Sequence, residues 1–120
     1  MTTNAKLVAV TIDCLEPKKL AEFYAQITGF NVDYAEDEYA GIGDGNTTIF
    51  FQRVADRKAP SWPGPDKMFH LDFRVDDLAT AVDEYLALGA TKPDFQPGGD
   101  NWVTMADPEG NLFDVLPPRS

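Results

Sequence analysis

The sequence predicts an α+β fold in which a strand–helix–three-strand unit occurs twice. Three observations carry this reading. First, the segment from Val8 through Ile12, Asp13 and Glu16 to Pro17 has a counterpart in Phe69-His70-Leu71-Asp72-Phe73-Arg74-Val75-Asp76-Asp77. Laying Glu16 on Asp77 puts Ala9 on His70 and Tyr24 on Tyr85. Second, each segment runs into apolar residues at helical spacing, Leu20, Phe23, Tyr24 and Ile27 in one and Leu78, Val82, Tyr85 and Leu86 in the other. Each of these helices ends on a glycine, Gly29 or Gly89, the residue that tolerates a left-handed cap. Third, the segments that follow are short, alternating and separated by turn sequences, Asp44-Gly45-Asn46 and Asp107-Pro108-Glu109-Gly110-Asn111.

The opening strand is expected over about 7–13. Val8, Val10 and Ile12 point one way, and Ala9, Thr11 and Asp13 the other. Cys14 falls with the first set and is expected to be inert packing. Pro17 suits the first turn of a helix, where its missing N–H costs nothing. Strands are expected over about 30–34, 39–43 and 47–53. Residues 55–67 contain Pro60, Pro63, Gly64 and Pro65 and read as a linker. The second unit begins near Met68. Leu71, Phe73 and Val75 take one face of its strand; His70, Asp72 and Arg74 take the other. Asp76 or Asp77 is expected to cap the next helix. Strands near 92–95, 102–105 and 112–116 complete it, and Pro117-Pro118 ends the last. The expected organisation is therefore one domain over 1–120, with a first module at about 6–54, a linker at 55–67 and a second module at about 68–118.

The chain has 120 residues, of which 43% are hydrophobic, enough for a real core. No apolar run approaches the roughly 18 residues of a membrane span. The first residues carry no apolar signal region, and the single cysteine excludes a disulfide framework or a Cys-rich zinc site. A cytoplasmic protein is the expectation. The formal charge is −10. Residues 1–67 hold seven basic and ten acidic side chains, and residues 68–120 hold three and ten. Such a surface repels a phosphate backbone, so nucleic acid is not an expected partner. It mildly favours cationic small molecules. Only Ser61 and Ser120 are serines, which removes a serine hydrolase. Phosphate loops, Cys-x-x-Cys pairs, nucleophile elbows and His-Glu-x-x-His helices are missing from the sequence.

If each sheet buries its apolar face under its helix, the other face carries Thr11, Asp13, Gln52, His70, Asp72, Arg74 and Asp114. Polar side chains on a face turned from the helix must meet water, a ligand or each other. A curved sheet of this kind describes a binding groove.

The ordered set Ile12-Asp13-Cys14-Leu15-Glu16-Pro17, Leu20-Ala21-Glu22-Phe23-Tyr24, Gly29-Phe30, Phe50-Phe51-Gln52-Arg53-Val54, His70 to Asp77, and Asp107 to Asp114 resembles the glyoxalase/bleomycin-resistance/dioxygenase superfamily, also called the vicinal oxygen chelate fold. The resemblance implies two βαβββ modules forming an open, cupped mixed sheet. It also implies a divalent ion held, in metal-dependent members, by two side chains from each module. Carried onto this chain, those four positions are Ala9, Gln52, His70 and Asp114. The first has no donor, the second is a neutral amide, and the fourth is an aspartate where the family usually has glutamate. A catalytic ion wants three or four well-placed donors. No tightly bound metal or other cofactor is therefore expected, a divalent metal being the alternative.

The expected function is glyoxalase-like binding of a small organic molecule, cationic or aromatic, in the manner of bleomycin-resistance proteins and with a homodimer as the expected assembly. The expected ligand-binding residues are Thr11, Asp13, Phe50, Gln52, His70, Asp72, Arg74, Trp102 and Asp114. The alternative is a lyase, isomerase or dioxygenase using His70 and Asp114 catalytically, with or without a metal. Arg74 is expected to form an internal ion pair with Asp72, Asp13 or Asp114, its alternative being a bidentate hold on an anionic group. For Trp62 the functional alternative is a place over the groove or at a subunit contact, and for Trp102 an aromatic wall, core packing being the more common fate of either ring.

Overall fold

The computed structural model describes residues 4–66 and 69–119. It divides into two compact units, Met1–Arg57 and Lys58–Ser120. The division falls inside the proline-rich stretch at 55–67. The start of the second unit near Met68, and Lys67 before it, lie outside the described residues.

The first unit runs β1 (Val10–Cys14), α1 (Pro17–Thr28), β2 (Asn31–Ala35), β3 (Tyr39–Gly43) and β4 (Thr48–Arg53). The sheet order is β1-β4-β3-β2. β1 lies parallel to β4, and the other pairs are antiparallel, so the sheet is mixed. Pro17 opens α1, and Gly29 closes it at φ 77°, donating its N–H to the Ala25 carbonyl at 2.8 Å. Leu20, Ala21, Phe23 and Tyr24 form the buried stripe. Tyr24 stacks on Phe51 with ring centroids 5.8 Å apart, beside buried Ala40, Ile42 and Ile49. Each such large side chain taken from water contributes about 1.5–3 kcal/mol. Cys14 is fully buried with its thiol 3.6 Å from the Gln52 carbonyl, as alternation along β1 requires.

One local irregularity matters for the site. The β2–β3 register slips between Val32 and Tyr34, so that Val32 opposes Ile42 while Tyr34 opposes Gly41. An extra residue at a bulge breaks strict alternation. Here it moves Tyr34 to the face opposite the helix.

The second unit runs β5 (Leu71–Arg74), α2 (Leu78–Ala87), β6 (Val103–Ala106) and β7 (Leu112–Leu116), with sheet order β5-β7-β6. β5 is parallel to β7, and β6 is antiparallel to it. Asp77 caps α2 by accepting the Thr80 N–H at 3.0 Å. Tyr85 of α2 packs on Phe113, with centroids 6.2 Å apart, and Phe73 meets the same ring edge-on at 5.8 Å. Burial, helped by the neighbouring Glu84 carboxylate, pushes the Tyr85 phenol above its ordinary pKa. The Asp107–Asn111 turn winds around one buried carboxylate. Asp107 Oδ1 accepts the N–H groups of Glu109 and Asn111, and Oδ2 accepts the Asn111 side-chain amide.

The strand expected over 92–95 is reduced to a single bridge between Thr91 and Ala106. Pro93 has no N–H to give a ladder. A side chain takes the next place instead. The Gln96 amide donates to the Thr104 carbonyl at 2.9 Å and accepts the Thr104 N–H at 2.9 Å, as a paired peptide would. Its amide nitrogen also reaches the Pro93 carbonyl. The expected linker is likewise not a free tether beyond residue 58. Trp62 packs on Phe95 at 5.5 Å, Ser61 donates its N–H to Asp66, and Ala59 lies against Gly110.

Candidate functional site

The face of the second sheet turned from α2 gathers a polar cluster. Asp114 stands in the central strand, opposite Asp72 of β5 and Thr104 of β6. Because the Thr104 main chain turns outward to Gln96, Thr104 and Asp114 form a pair without main-chain hydrogen bonds between them, the geometry that brings cross-strand side chains closest. The Thr104 hydroxyl accordingly donates to Asp114 Oδ1 at 2.8 Å. The other oxygen, Oδ2, lies 3.0 Å from His70 Nε2, which is also 3.2 Å from Asp72 Oδ1. Asp114 is 5% exposed, while His70 and Asp72 are open to solvent. A carboxylate this deep is stable only because its oxygens are occupied.

The corresponding face of the first sheet has a different chemistry. Thr11 opposes Phe50, and Asp13 opposes Gln52; all four share the face turned from α1. Tyr39 and Gly41 of β3 oppose Gln52 and Phe50 on that same face. Tyr34 joins them through the bulge. Its ring lies 6.4 Å from that of Phe50, and a Cβ on Gly41 would meet Tyr34 Cε1 at 2.7 Å and Phe50 Cδ1 at 3.1 Å. The glycine is what lets the two rings approach over the strand. Thr11, Asp13 and Gln52 are exposed, and Phe50 is half-buried.

The sequence-derived residues therefore fall into two groups, each on the open face of its own sheet: Thr11, Asp13, Phe50 and Gln52 in the first unit, His70, Asp72 and Asp114 in the second. Arg74 is a correction. Its guanidinium donates to the Pro117 carbonyl at 2.7 Å, whereas Asp72 and Asp114 turn to His70. Arg74 stands opposite Leu116, past the carboxylate pair, so the nearest acceptor is the main chain just beyond the strand end. Trp102 precedes β6 and packs against Gly98, where a Cβ would meet the indole at 2.5 Å. Its Nε1 is buried without an acceptor among the described residues. Trp62 lies on Phe95. Tyr34, Tyr39 and Gly41 were not singled out by sequence reasoning. The alternation of Tyr39, Gly41 and Gly43 with buried Ala40 and Ile42 was the available signal for two of them. A cleft of about 450 Å³ at the start of α1 also went unforeseen, and its charges pair internally as Lys18–Asp37, Lys19–Glu16 and Arg53–Glu38.

Of the four positions that the resemblance assigns to chelation, Ala9 ends in a methyl group and Gln52 is a neutral amide. A different set converges within the second unit. One donor atom from each of His70, Asp72 and Asp114 lies within 4.8 Å of the others.

Two mixed sheets, each with a helix on one face and polar or aromatic residues on the other, define a vicinal oxygen chelate superfamily protein. The chain belongs to the glyoxalase-like domain family, whose sequence profile matches residues 9–116. Among solved structures, it is similar to a glyoxalase/bleomycin resistance protein/dioxygenase family enzyme from Burkholderia phytofirmans PsJN, at 24% identity and TM-score 0.69 over 94% of this chain and 98% of that one. It is also similar to a glyoxalase-related enzyme from Fulvimarina pelagi, at 16% identity and TM-score 0.68 over 94% and 88%. A bleomycin-binding protein from Streptomyces verticillus, solved with copper(II)-bleomycin, matches at 15% identity and TM-score 0.59 over 98% and 100%. These likenesses establish the fold. No curated protein gives a significant match. No helix among the described residues is long and apolar enough to cross a membrane.

Proposed function

We propose that this chain is a cytoplasmic, homodimeric glyoxalase-like protein that captures a small organic molecule on its open sheet faces without a tightly bound catalytic metal. The observation that carries the reading is the methyl group of Ala9 where the family places its opening imidazole. Two of the four chelating positions are spent, yet the faces that held them keep hydrogen-bonding and aromatic side chains aimed away from the core. Surfaces of that composition recognise an organic ligand through a few polar contacts and stacked rings. Capture then needs no bond-making. The bleomycin-binding neighbour lends the idea a precedent on the same fold.

Dialysis against zinc, nickel, manganese and ferrous iron, followed by elemental analysis, tests the metal half of this reading. Calorimetry against a metabolite and drug panel tests the binding half. The expected result is well below one metal per chain together with one saturable organic ligand. Stoichiometric metal retained through dialysis overturns the first half, and silence across the whole panel overturns the second. Light scattering that shows only monomer removes the dimer.

One observation favours a second reading, a lyase, isomerase or dioxygenase. His70, Asp72 and Asp114 offer one nitrogen and two carboxylate donors, with Asp114 oriented from behind by Thr104. A divalent ion there would supply Lewis acidity toward vicinal oxygens of a substrate. Without one, His70 and Asp114 would handle a proton. Metal retention abolished by Asp72→Asn, or turnover of any panel compound abolished by His70→Ala, would establish it over simple capture.

A further inference from the structure

We infer that the open face of the first sheet is a stacking platform for a planar organic cation, with Tyr34 and Phe50 as the aromatic surface and Asp13 and Asp33 as the counter-charges. This rests on the small-molecule reading above and assigns it a ligand class and a place. Ring exposure is the first support. Tyr34 is 41% and Tyr39 53% exposed, although aromatic rings on a sheet gain most by burial. The second is the floor. Gly41 sits beneath the Tyr34–Phe50 pair, and any side chain there would drive a ring away. The bulge in β2 adds the third, because without it Tyr34 would share the helix-side face with Val32.

Charge selects among flat ligands. The positions of β1, β3 and β4 on this face are Thr11 and Asp13; Tyr39, Gly41 and Gly43; and Thr48, Phe50 and Gln52. None is a lysine or arginine. Asp13 stands at the β1 edge of the platform. Asp33 stands at the other, with Oδ2 3.5 Å from where a Gly43 Cβ would lie. Arg53, the one cation in these strands, faces the helix side with Cys14 and pairs with Glu38. An anionic ring would meet two carboxylates that have no cationic partner among the described residues. A cationic ring gains from both carboxylates and from the electron-rich ring faces.

N-methylquinolinium and its neutral isostere quinoline provide the test, by calorimetry and by amide-resolved NMR on the full chain. Saturable binding of the cation is expected, with shifts at Thr11, Asp13, Tyr34 and Phe50 and quinoline about fivefold weaker. Phe50→Leu is expected to weaken the cation about tenfold. Tyr34→Leu, at an exposed ring, repeats the test should Phe50→Leu unfold. Asp13→Asn is expected to narrow the gap between cation and isostere. Equal affinity for quinoline overturns the ligand class. Shifts confined to Thr104, Asp114 and Trp102, or affinity indifferent to both ring variants, overturn the place. If the cation fails to bind while another panel compound binds elsewhere, this inference falls and the capture function stands. If nothing organic binds at all, both fall.

Discussion

The two sheets share one plan, and their open faces carry different side chains. Both units set a parallel pair of strands against the helix's far side, β1 beside β4 and β5 beside β7. In the second unit the far side carries a buried carboxylate fixed by a hydroxyl and an imidazole. In the first it carries a neutral amide at an exposed position and a pair of rings over a glycine. The contrast shows that two units with the same strand–helix plan can keep similar cores while their open faces carry different chemistry. A carboxylate sunk in a central strand is bound into the folding energetics. Side chains on an exposed face are not, and can change at little cost to stability.

That contrast can be broken by measurement. Urea unfolding of Asp114→Ala should show a loss of about 2–3 kcal/mol, because the Thr104 hydroxyl is left unpaired in the core and His70 loses its nearer carboxylate. Gln52→Ala, at the matching family position, should stay within about 0.5 kcal/mol. Equal losses would mean that the faces have not diverged energetically. Thr104→Val should cost about 1–2 kcal/mol by removing the donor to a buried anion, and Thr11→Val on the exposed face almost nothing. The helices supply a third contrast. Asp77→Ala removes a side-chain cap from α2 and should cost about 1 kcal/mol, whereas Glu16, at the start of α1, makes no capping hydrogen bond, pairs with Lys19 at the surface, and its alanine variant should cost less than Asp77→Ala.

The smallest effect concerns the turn between β3 and β4. Asp44 accepts the N–H groups of Thr47 and Asn46, which lower its carboxyl pKa below the ordinary 3.8. A group depressed in the folded state stabilises above its unfolded value and loses that share as pH falls through the folded one. NMR titration should place the Asp44 midpoint below 3.8, and Asp44→Asn should flatten this part of the acid dependence.

Much of the architecture could be read directly. Strand alternation placed Cys14 inward and Thr11 and Asp13 outward, and the glycines at 29 and 89 marked where the helices stop. The grouping of His70, Asp72 and Asp114 on one face followed from the same period of two. What alternation could not supply was anything that breaks the period or reaches along the strand axis. The bulge that turns Tyr34 over Gly41 has no strong local signature, since Asp33 is an ordinary residue in an ordinary strand. The destination of Arg74 depended on where the chain ends its last strand, a fact about Pro117 and not about the residues flanking Arg74. The missing strand near residue 92 had one visible warning, Pro93. Its replacement by a glutamine side chain had none.

That glutamine has a consequence for how the protein behaves in company. β6 is the outer strand of its sheet, and outer strands offer unpaired main-chain groups on which foreign chains can template. By gripping both polar groups of Thr104, Gln96 closes the middle of that row from within the same chain. The guard is intramolecular, so crowding does not wear it away. Its removal by Gln96→Ala would reopen a docking rail for aggregation while leaving every side chain of the two open faces in the sequence.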